Sequence, residues 1–314
     1  MELENACQTS SDQLKGVNFD AFIAVSGYES RSSFLATQIN TSAIPKKIVL
    51  AFAEKKELLY RELNDKKYKE LGFTFVEAPS HNPQQLPEIM DDIIEDISKD
   101  DVNILIDYSS MPKIWYSEIL NYFNSQEDLS NVNLWFSYSP SSFIKSISSI
   151  SNKYHDPIKP TALSNKPIAL ILGLGYEKGR TEDISKQLNA QVTYAFYANP
   201  SVDNRYVNEV LSNNESVLKK ISNEKIIPYT IFDLNSVSET LTQLCINLRM
   251  DHQVLLVPVG PKPFTLMCFI LASRYPDIKI CRVSTIINSA ATDHAAHGEL
   301  LVYKVEFTTE ETDY

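Results

Sequence analysis

A short run of residues that can hold a phosphorylated ligand occurs twice in this sequence. In each copy Gly-Tyr-Glu is followed, two or three residues later, by an arginine. An arginine guanidinium can bind a phosphate through two hydrogen bonds, and a tyrosine ring can stack on a base. The alternative is a surface pair of Glu and Arg beside a packed tyrosine. The residues concerned are Gly27, Tyr28, Glu29 and Arg31 in the first copy, and Gly175, Tyr176, Glu177 and Arg180 in the second.

A second pair of turns places a lysine shortly after an apolar run. An ammonium group at the start of a helix can neutralise a bound phosphate, assisted by the helix N-terminus, or it can simply be solvated. The serines can cap the helix or donate to a ligand, and the aspartate can cap it or hold a ribose hydroxyl. Pro258 replaces that aspartate in the second turn. The candidate residues are Asp107, Ser109, Ser110 and Lys113 in the first turn, and Gly260 and Lys262 in the second.

The motifs of several common site types are missing. Neither glycine turn matches the GxGxxG pattern of dinucleotide-binding folds, and no Walker A motif, nucleophile elbow or HExxH is present. The histidines lack the spacing of a metal site. One near pair, His294 and His297, lies in a polar loop and is either incidental or a proton shuttle or ligand. The sequence therefore indicates neither a metal nor a cofactor.

The four turns stand at matching places in two halves of the chain. About five apolar runs, alternating with helical patterns, occur in the same order in both halves, which indicates an internal duplication with a period of about 150 residues. Short apolar strands that alternate with helices predict a parallel sheet covered on both faces. The expected fold is therefore α/β, with two tandem Rossmann-like parallel-sheet halves related by a pseudo-twofold axis.

The expected boundaries follow from local composition. Residues 1–18 are polar and are predicted to form a loose N-terminal arm, and residues 141–166 are predicted to form a linker. The first Rossmann-like half spans 19–140, and the second spans 167–314 and ends in a C-terminal edge strand. Ligands of open parallel sheets bind beyond the carboxyl ends of the strands. The four turns are therefore expected to converge on one cleft or on two related ones.

The overall composition argues against some partners. The 314 residues are 43% hydrophobic and carry 29 Lys and Arg against 40 Asp and Glu, a formal net charge of −11. An extended nucleic-acid surface needs clustered cations and is not expected, whereas a small anion in a pocket is compatible with this charge. The four cysteines contain no CxxC pair and are interpreted as reduced. A polar start and the lack of an apolar run of ~18–20 residues predict a cytoplasmic protein without a membrane partner.

One segment resembles a known family. Residues 106–113 (IDYSSMPK) resemble the strand-end segment Asp-x-Thr-Gly-Gly-Thr-Lys of CRISPR-associated Rossmann-fold (CARF) domains, and residues 257–263 (VPVGPKP) resemble a shortened version. The tandem layout is similar to that of SAVED sensors of bacterial cyclic-nucleotide immunity. Two departures are the serines in place of the paired glycines and Pro258 in place of the acid. The resemblance implies recognition of a cyclic oligonucleotide or related nucleotide, with a separate polypeptide as the effector.

Three hypotheses about function follow. The first is a nucleotide-binding sensor or regulatory subunit of a prokaryotic defence system, whose ligand is a phosphorylated small molecule or nucleotide. The second is an enzyme acting on a nucleotide or sugar phosphate, a phosphodiesterase or a glycosidic-bond-cleaving enzyme, with Glu29, Glu177 or Asp107 as acid or base. The third is a structural scaffold subunit with degenerate pockets. The missing acid in the second half favours binding over chemistry.

Overall fold

The chain divides into two compact units in the computed structural model. It describes residues 1–54, 56–95, 97, 101–126, 129–144, 163–281 and 291–309. The first unit comprises Met1–Ser142 and Ala291–Tyr314, and the second comprises Phe143–Ala290. Most of the predicted linker, residues 145–162, and the end of the last predicted core strand, residues 282–284, lie outside the described residues.

Strands and helices alternate along most of the described chain. The strands are β1 (Glu2–Thr9), β2 (Ala21–Ser26), β3 (Lys46–Phe52), β4 (Thr74–Ala78), β5 (Asp101–Asp107), β6 (Asn131–Tyr138), β7 (Ile168–Gly173), β8 (Val192–Ala198), β9 (Ile226–Tyr229), β10 (Gln253–Pro258), β11 (Lys279–Ile280) and β12 (Leu301–Thr308). The helices are α1 (Phe34–Gln38), α2 (Arg61–Glu70), α3 (Leu86–Glu95), α4 (Lys113–Asn124), α5 (Arg180–Leu188), α6 (Asn204–Asn213), α7 (Glu215–Leu218), α8 (Leu234–Leu248) and α9 (Lys262–Arg274). Short 3₁₀ helices cover Ser11–Lys15, Ser30–Ser33 and Asn223–Lys225.

The described part of the first unit contains a seven-stranded mixed sheet. Its strand order is β1-β12-β6-β5-β2-β3-β4, in which β6 to β4 are parallel and β12 is antiparallel to both of its neighbours. Every residue of β2 is buried. A strand buried along its whole length has both of its faces covered, which explains why β2 is a continuous apolar run and does not alternate.

The two chain ends correct the expected boundaries. Residues 1–18 are not a loose arm, because β1 pairs with β12 from Glu2↔Thr308 to Thr9↔Val302. The C-terminal strand belongs to the first unit and not to the second, and it lies between β1 and β6 and not at an edge. An edge strand needs few apolar residues, and only Leu3 is buried in β1, so this strand has the polar composition of an arm.

The described part of the second unit contains a five-stranded parallel sheet. Its order is β11-β10-β7-β8-β9. The central strands β7 and β10 are almost entirely buried, and α9 buries most of its length. The predicted α/β class is therefore confirmed for both units.

The parallel strands follow the same order in both units. The first of these strands pairs with the second on one side and with the fourth on the other, β2 with β3 and β5, and β7 with β8 and β10. This is the doubly wound order 3-2-1-4-5, whose switch point lies between the first and fourth strands. The turns after these two strands are the four turns singled out in the sequence.

Two further observations concern the described residues. None of their helices combines the length and the apolar character that crossing a membrane would take. Their four cysteines form no disulfide bond, and three of them are buried. Burial raises the pKa of the Cys245 thiol to about 12, so this side chain acts as a small apolar core residue.

We predict that Phe307→Ala destabilises the first unit by about 3–5 kcal/mol, because it opens a cavity beside β12, the strand that pairs with both β1 and β6. Phe307 is fully buried, with its ring centroid 6.4 Å from that of Phe123. Chemical denaturation monitored by circular dichroism measures the change. Glu4→Ala, at an exposed position of β1, is the control and should leave the midpoint unchanged. An unchanged midpoint for Phe307→Ala would exclude β12 from the core.

Candidate functional site

The two predicted turns of the first unit meet at the switch point of its sheet. Ser110 Oγ donates to Glu29 Oε2 over 3.1 Å. Gly27 lies so close by that a Cβ on it would stand 3.5 Å from Ser110 Cβ and 3.3 Å from the Phe52 ring. The turn after β2 and the turn after β5 are therefore one structural site, as expected for strands whose connections diverge here.

A buried ion pair organises this site. Arg31 Nε donates to Glu29 Oε2 over 2.8 Å, and Arg31 Nη1 donates to Ser139 O over 3.0 Å and to Tyr138 Oη over 3.3 Å. The Arg31 guanidinium is 5% exposed and lies 5.4 Å from the centroid of the Tyr138 ring. Burial by itself would lower the pKa of Arg31, but Glu29 and Tyr138 outweigh it and hold that pKa above its usual value. Arg31 thus joins the turn after β2 to the end of β6.

Helix α2 fixes the backbone of the same turn. Asn64 Nδ2 donates to Gly27 O over 3.0 Å and to Glu29 O over 2.8 Å. The Asn64 amide oxygen accepts from Ser33 Oγ over 2.8 Å. The turn carbonyls are therefore satisfied by a side chain, as buried backbone groups require.

The turn after β5 is held by its own polar residues. Asp107 Oδ1 accepts from Ser109 N over 3.0 Å and from Ser109 Oγ over 2.5 Å, while Ser109 Oγ accepts from Ser139 N over 2.8 Å. Of the two alternatives for the serines, neither Ser109 nor Ser110 is the N-cap residue of α4, because that position is occupied by Pro112. Lys113 is the first residue of α4 and is half-buried.

Tyr28 is half-buried and lies against the chain that leads into α2. Its carbonyl oxygen accepts from Tyr60 N over 3.1 Å. Burial, followed by the charge of Glu29, raises the pKa of the Tyr28 phenol, and Arg31 partly offsets this rise. Tyr28 therefore stays a neutral aromatic group at the site.

Sequence reasoning missed the contribution of residues 291–298. Asp293 accepts from Ser30 N over 2.7 Å and from Ser30 Oγ over 3.0 Å. His294 O accepts from Arg31 N over 3.2 Å, and His294 Nε2 lies 4.0 Å from Glu29 Oε1. The pair of histidines marked this segment in the sequence. Its contact with the turn after β2 could not be predicted, because Ser30 and Asp293 are 263 residues apart. His297 is exposed.

The two turns of the second unit meet through backbone atoms. Gly260 N donates to Gly173 O over 2.8 Å, and a Cβ on Gly260 would stand 2.4 Å from Leu174 O. A Cβ on Gly175 would stand 3.0 Å from Val259 O. Glycine is needed at position 260 because the two chains approach more closely than a side chain allows.

The remaining predicted residues of the second unit repeat some features of the first. Arg180 forms an ion pair with Glu177. Asn214 Nδ2 donates to Gly175 O over 2.8 Å. Lys262 is the first residue of α9 and is half-buried. The ring of Tyr176 belongs to an aromatic row with Tyr206 and Phe143, with centroid distances of 5.8 and 4.9 Å along the row.

The first unit thus combines groups of several chemical types at one switch point. Glu29 supplies a carboxylate, Ser110 a hydroxyl, His294 an imidazole and Lys113 an ammonium at the start of a helix. This set can accept from hydroxyl or amino groups of a ligand and can neutralise an anion. Within the described part of the chain, no three His, Cys, Asp or Glu side chains are grouped to hold a metal ion.

Comparison with known proteins adds no relative: no family model, no curated protein and no solved structure matches the chain.

We predict that Gly260→Ala strongly destabilises the second unit, by more than about 3 kcal/mol, because the new Cβ would overlap a backbone carbonyl that cannot move aside without disrupting the turn. The control is Gly16→Ala, where the nearest atom to the new Cβ is 3.7 Å away. Thermal denaturation of both variants measures the effect. Equal midpoints for Gly260→Ala and the parent would show that the turns are not closely packed.

We predict that Arg31→Met costs about 3 kcal/mol, because it removes the cationic partner of the Glu29 carboxylate, which is only 16% exposed. The double variant Glu29→Gln/Arg31→Met should recover part of this loss, since it removes both charges. A double-mutant cycle in urea measures the coupling. Lys15→Met breaks an exposed pair with Asp12 and should change nothing measurable. Additive single effects at positions 29 and 31 would contradict the ion-pair explanation.

Proposed function

We propose that this protein binds a nucleotide at the switch points of its sheets and acts as a sensor or regulatory subunit of a prokaryotic defence system. One observation carries the proposal. In each unit a lysine occupies the first position of the helix that follows the fourth parallel strand, Lys113 in α4 and Lys262 in α9. Both helices begin at the turn that meets the glycine turn of the same unit.

The starts of these helices suit an anion. Unpaired N–H groups and the helix dipole give the N-terminus of a helix a partial positive charge, to which the lysine adds a full one. Acidic residues commonly occupy the first turn of a helix for the same reason, yet the first turns of α4 and α9 contain none. This electrostatic preference supports a phosphate group as the bound anion.

The neighbouring groups support a nucleoside attached to that phosphate. Glu29 and Glu177 can accept from ribose hydroxyls or base amino groups, and Tyr28 and Tyr176 offer aromatic rings nearby. Arg31 and Arg180, the first candidates for phosphate contact, orient these glutamates instead. Under this proposal the lysines are the phosphate ligands and the arginines position the glutamates.

Internal duplication is part of the proposal. The order of the parallel strands is the same in both units. In each unit an asparagine from the helical region after the second parallel strand donates to the turn glycine, Asn64 to Gly27 and Asn214 to Gly175. Together with the repeated Glu–Arg pair, these contacts support a common origin. The resemblance to tandem CARF-like sensors extends the ligand class to cyclic oligonucleotides and implies a separate effector protein.

A second candidate function is an enzyme acting on a nucleotide or sugar phosphate. The specific observation in its favour is His294 Nε2 at 4.0 Å from Glu29 Oε1. An imidazole next to a carboxylate is a common acid–base arrangement. Turnover of the bound nucleotide separates this function from sensing.

We predict that isothermal titration detects binding of a mono-, di- or cyclic nucleotide, and that Lys113→Ala and Lys262→Ala each weaken the site of their own unit about 10- to 100-fold, the effect of losing a charge-assisted contact. Lys15→Ala, at an exposed position, is the control and should bind as the parent does. Chromatography of each mixture after titration reports turnover.

The outcomes of this titration separate the three functions. Binding without turnover supports the sensor, and binding with turnover supports the enzyme. If no nucleotide binds while all variants are folded, the proposal fails and a scaffold role is left. If nucleotides bind but neither lysine variant weakens binding, the site is not where we place it.

A further inference from the structure

The entry to α2 exposes apolar side chains next to the switch point of the first unit. Leu59 is 49% exposed, Tyr60 is 40% exposed and Leu63 is 54% exposed. We refer to these three residues as the α2 lip. They are flanked by exposed charged residues, among them Lys56, Glu57, Glu62 and Lys66. The lip is therefore a narrow apolar strip within a polar surface.

The α2 lip is attached to the turn that carries Glu29. Tyr60 N donates to Tyr28 O over 3.1 Å, and Asn64, the residue after Leu63, donates to Glu29 O over 2.8 Å. Arg61 Nη1 donates to Phe52 O over 2.7 Å and so ties the start of α2 to the end of β3. These contacts hold the backbone that carries the lip beside the turn.

Leu59 has a backbone conformation that leucine rarely adopts. Its φ angle is +47°, in the left-handed region. The other described non-glycine residue with a positive φ is Asn189, a residue type that tolerates this conformation. Leucine at such a position costs stability that glycine or asparagine would not, and residues kept under strain concentrate at ligand sites. The combination of strain, exposure and apolar character indicates that position 59 is used for contact.

We propose that the α2 lip binds the base of the nucleotide, as the apolar side of the site whose polar side is formed by Glu29, Ser110 and Lys113. This inference rests on the proposed function. The size of the lip favours a base over a protein. Three side chains of at most roughly 250 Å² each, about half exposed, offer less than half of the ~800 Å² that each partner buries in a stable protein interface.

The base contribution can be measured by comparing ligands with and without a base. Ribose 5-phosphate is the base-free reference for nucleoside monophosphates, and cyclic dinucleotides complete the set. Stacking on one base corresponds to a gain in affinity of about 5- to 150-fold. We expect the parent protein to bind nucleotides more tightly than ribose 5-phosphate by a factor in this range.

Two lip variants and a control identify the residues involved. Leu59→Asn keeps the left-handed conformation and removes the apolar side chain, and Leu63→Ala shortens the lip without disturbing the helix. Each should reduce the preference for nucleotide over ribose 5-phosphate at least threefold while ribose 5-phosphate binds as before. Leu59→Asn should also raise the melting temperature by about 2–4 °C, because strain is relieved. Met250→Ala, 72% exposed in the second unit, should change neither quantity.

The results distinguish the failure of this inference from that of the proposed function. If nucleotides and ribose 5-phosphate bind the parent equally well, or if both lip variants keep the full preference, the lip does not bind the base although phosphate binding stands. If neither kind of ligand binds, both proposals fail. A self-association in ultracentrifugation that Leu63→Ala abolishes would assign the lip to a second copy of the chain and overturn the inference.

Discussion

The charged side chain of Arg31 is almost completely buried. The arrangement of the turns at the carboxyl ends of the strands in the first unit depends on the hydrogen bonds that this side chain requires. An unpaired buried charge is costly, so its hydrogen bonds must come from the surrounding chain. Glu29 and Ser139 supply them. Glu29 in turn accepts from Ser110, and the backbone N–H of Arg31 donates to His294. Segments distant in sequence therefore meet around one guanidinium.

In the second unit the two turns also meet at the switch point, but their ion pair is more exposed. Its Glu177 and Arg180 side chains are 32% and 12% exposed, against 16% and 5% for Glu29 and Arg31, so their ion pair is better solvated and contributes less to stability. The turns there close through the backbone of Gly173 and Gly260. Under the proposed function we therefore expect the first unit to discriminate between ligands through side chains, and the second through the shape of its backbone.

The sequence predicted those strands and turns that depend on the pattern of neighbouring residues. Strands β7, β8 and β10 coincide with mostly apolar runs bounded by turns, and such runs leave little choice of conformation. The convergence of the turns within each unit followed from the rule for parallel sheets. The pairing of β1 with β12 joins the two ends of the chain, and the polar edge strand has no apolar pattern to reveal it. The burial of Arg31 could not be predicted either, because its partners Tyr138 and Ser139 are distant in sequence.

Under the proposed function, the distribution of charge links the fold to the kind of ligand that it binds. The chain has a formal net charge of −11, which opposes the binding of a long polyanion, and salt screens interactions between exposed charges that are more than about 8–10 Å apart. A small ligand experiences the local field instead. Under the proposed function that field is positive at the starts of α4 and α9, where a lysine at the first position adds to the helix dipole and the first turn contains no acidic residue. The same positions follow the fourth parallel strand of each sheet, which the strand order requires to lie beside the first. Topology therefore brings the helix start to the Gly-Tyr-Glu turn, and under the proposed function a small phosphorylated ligand binds to both features together.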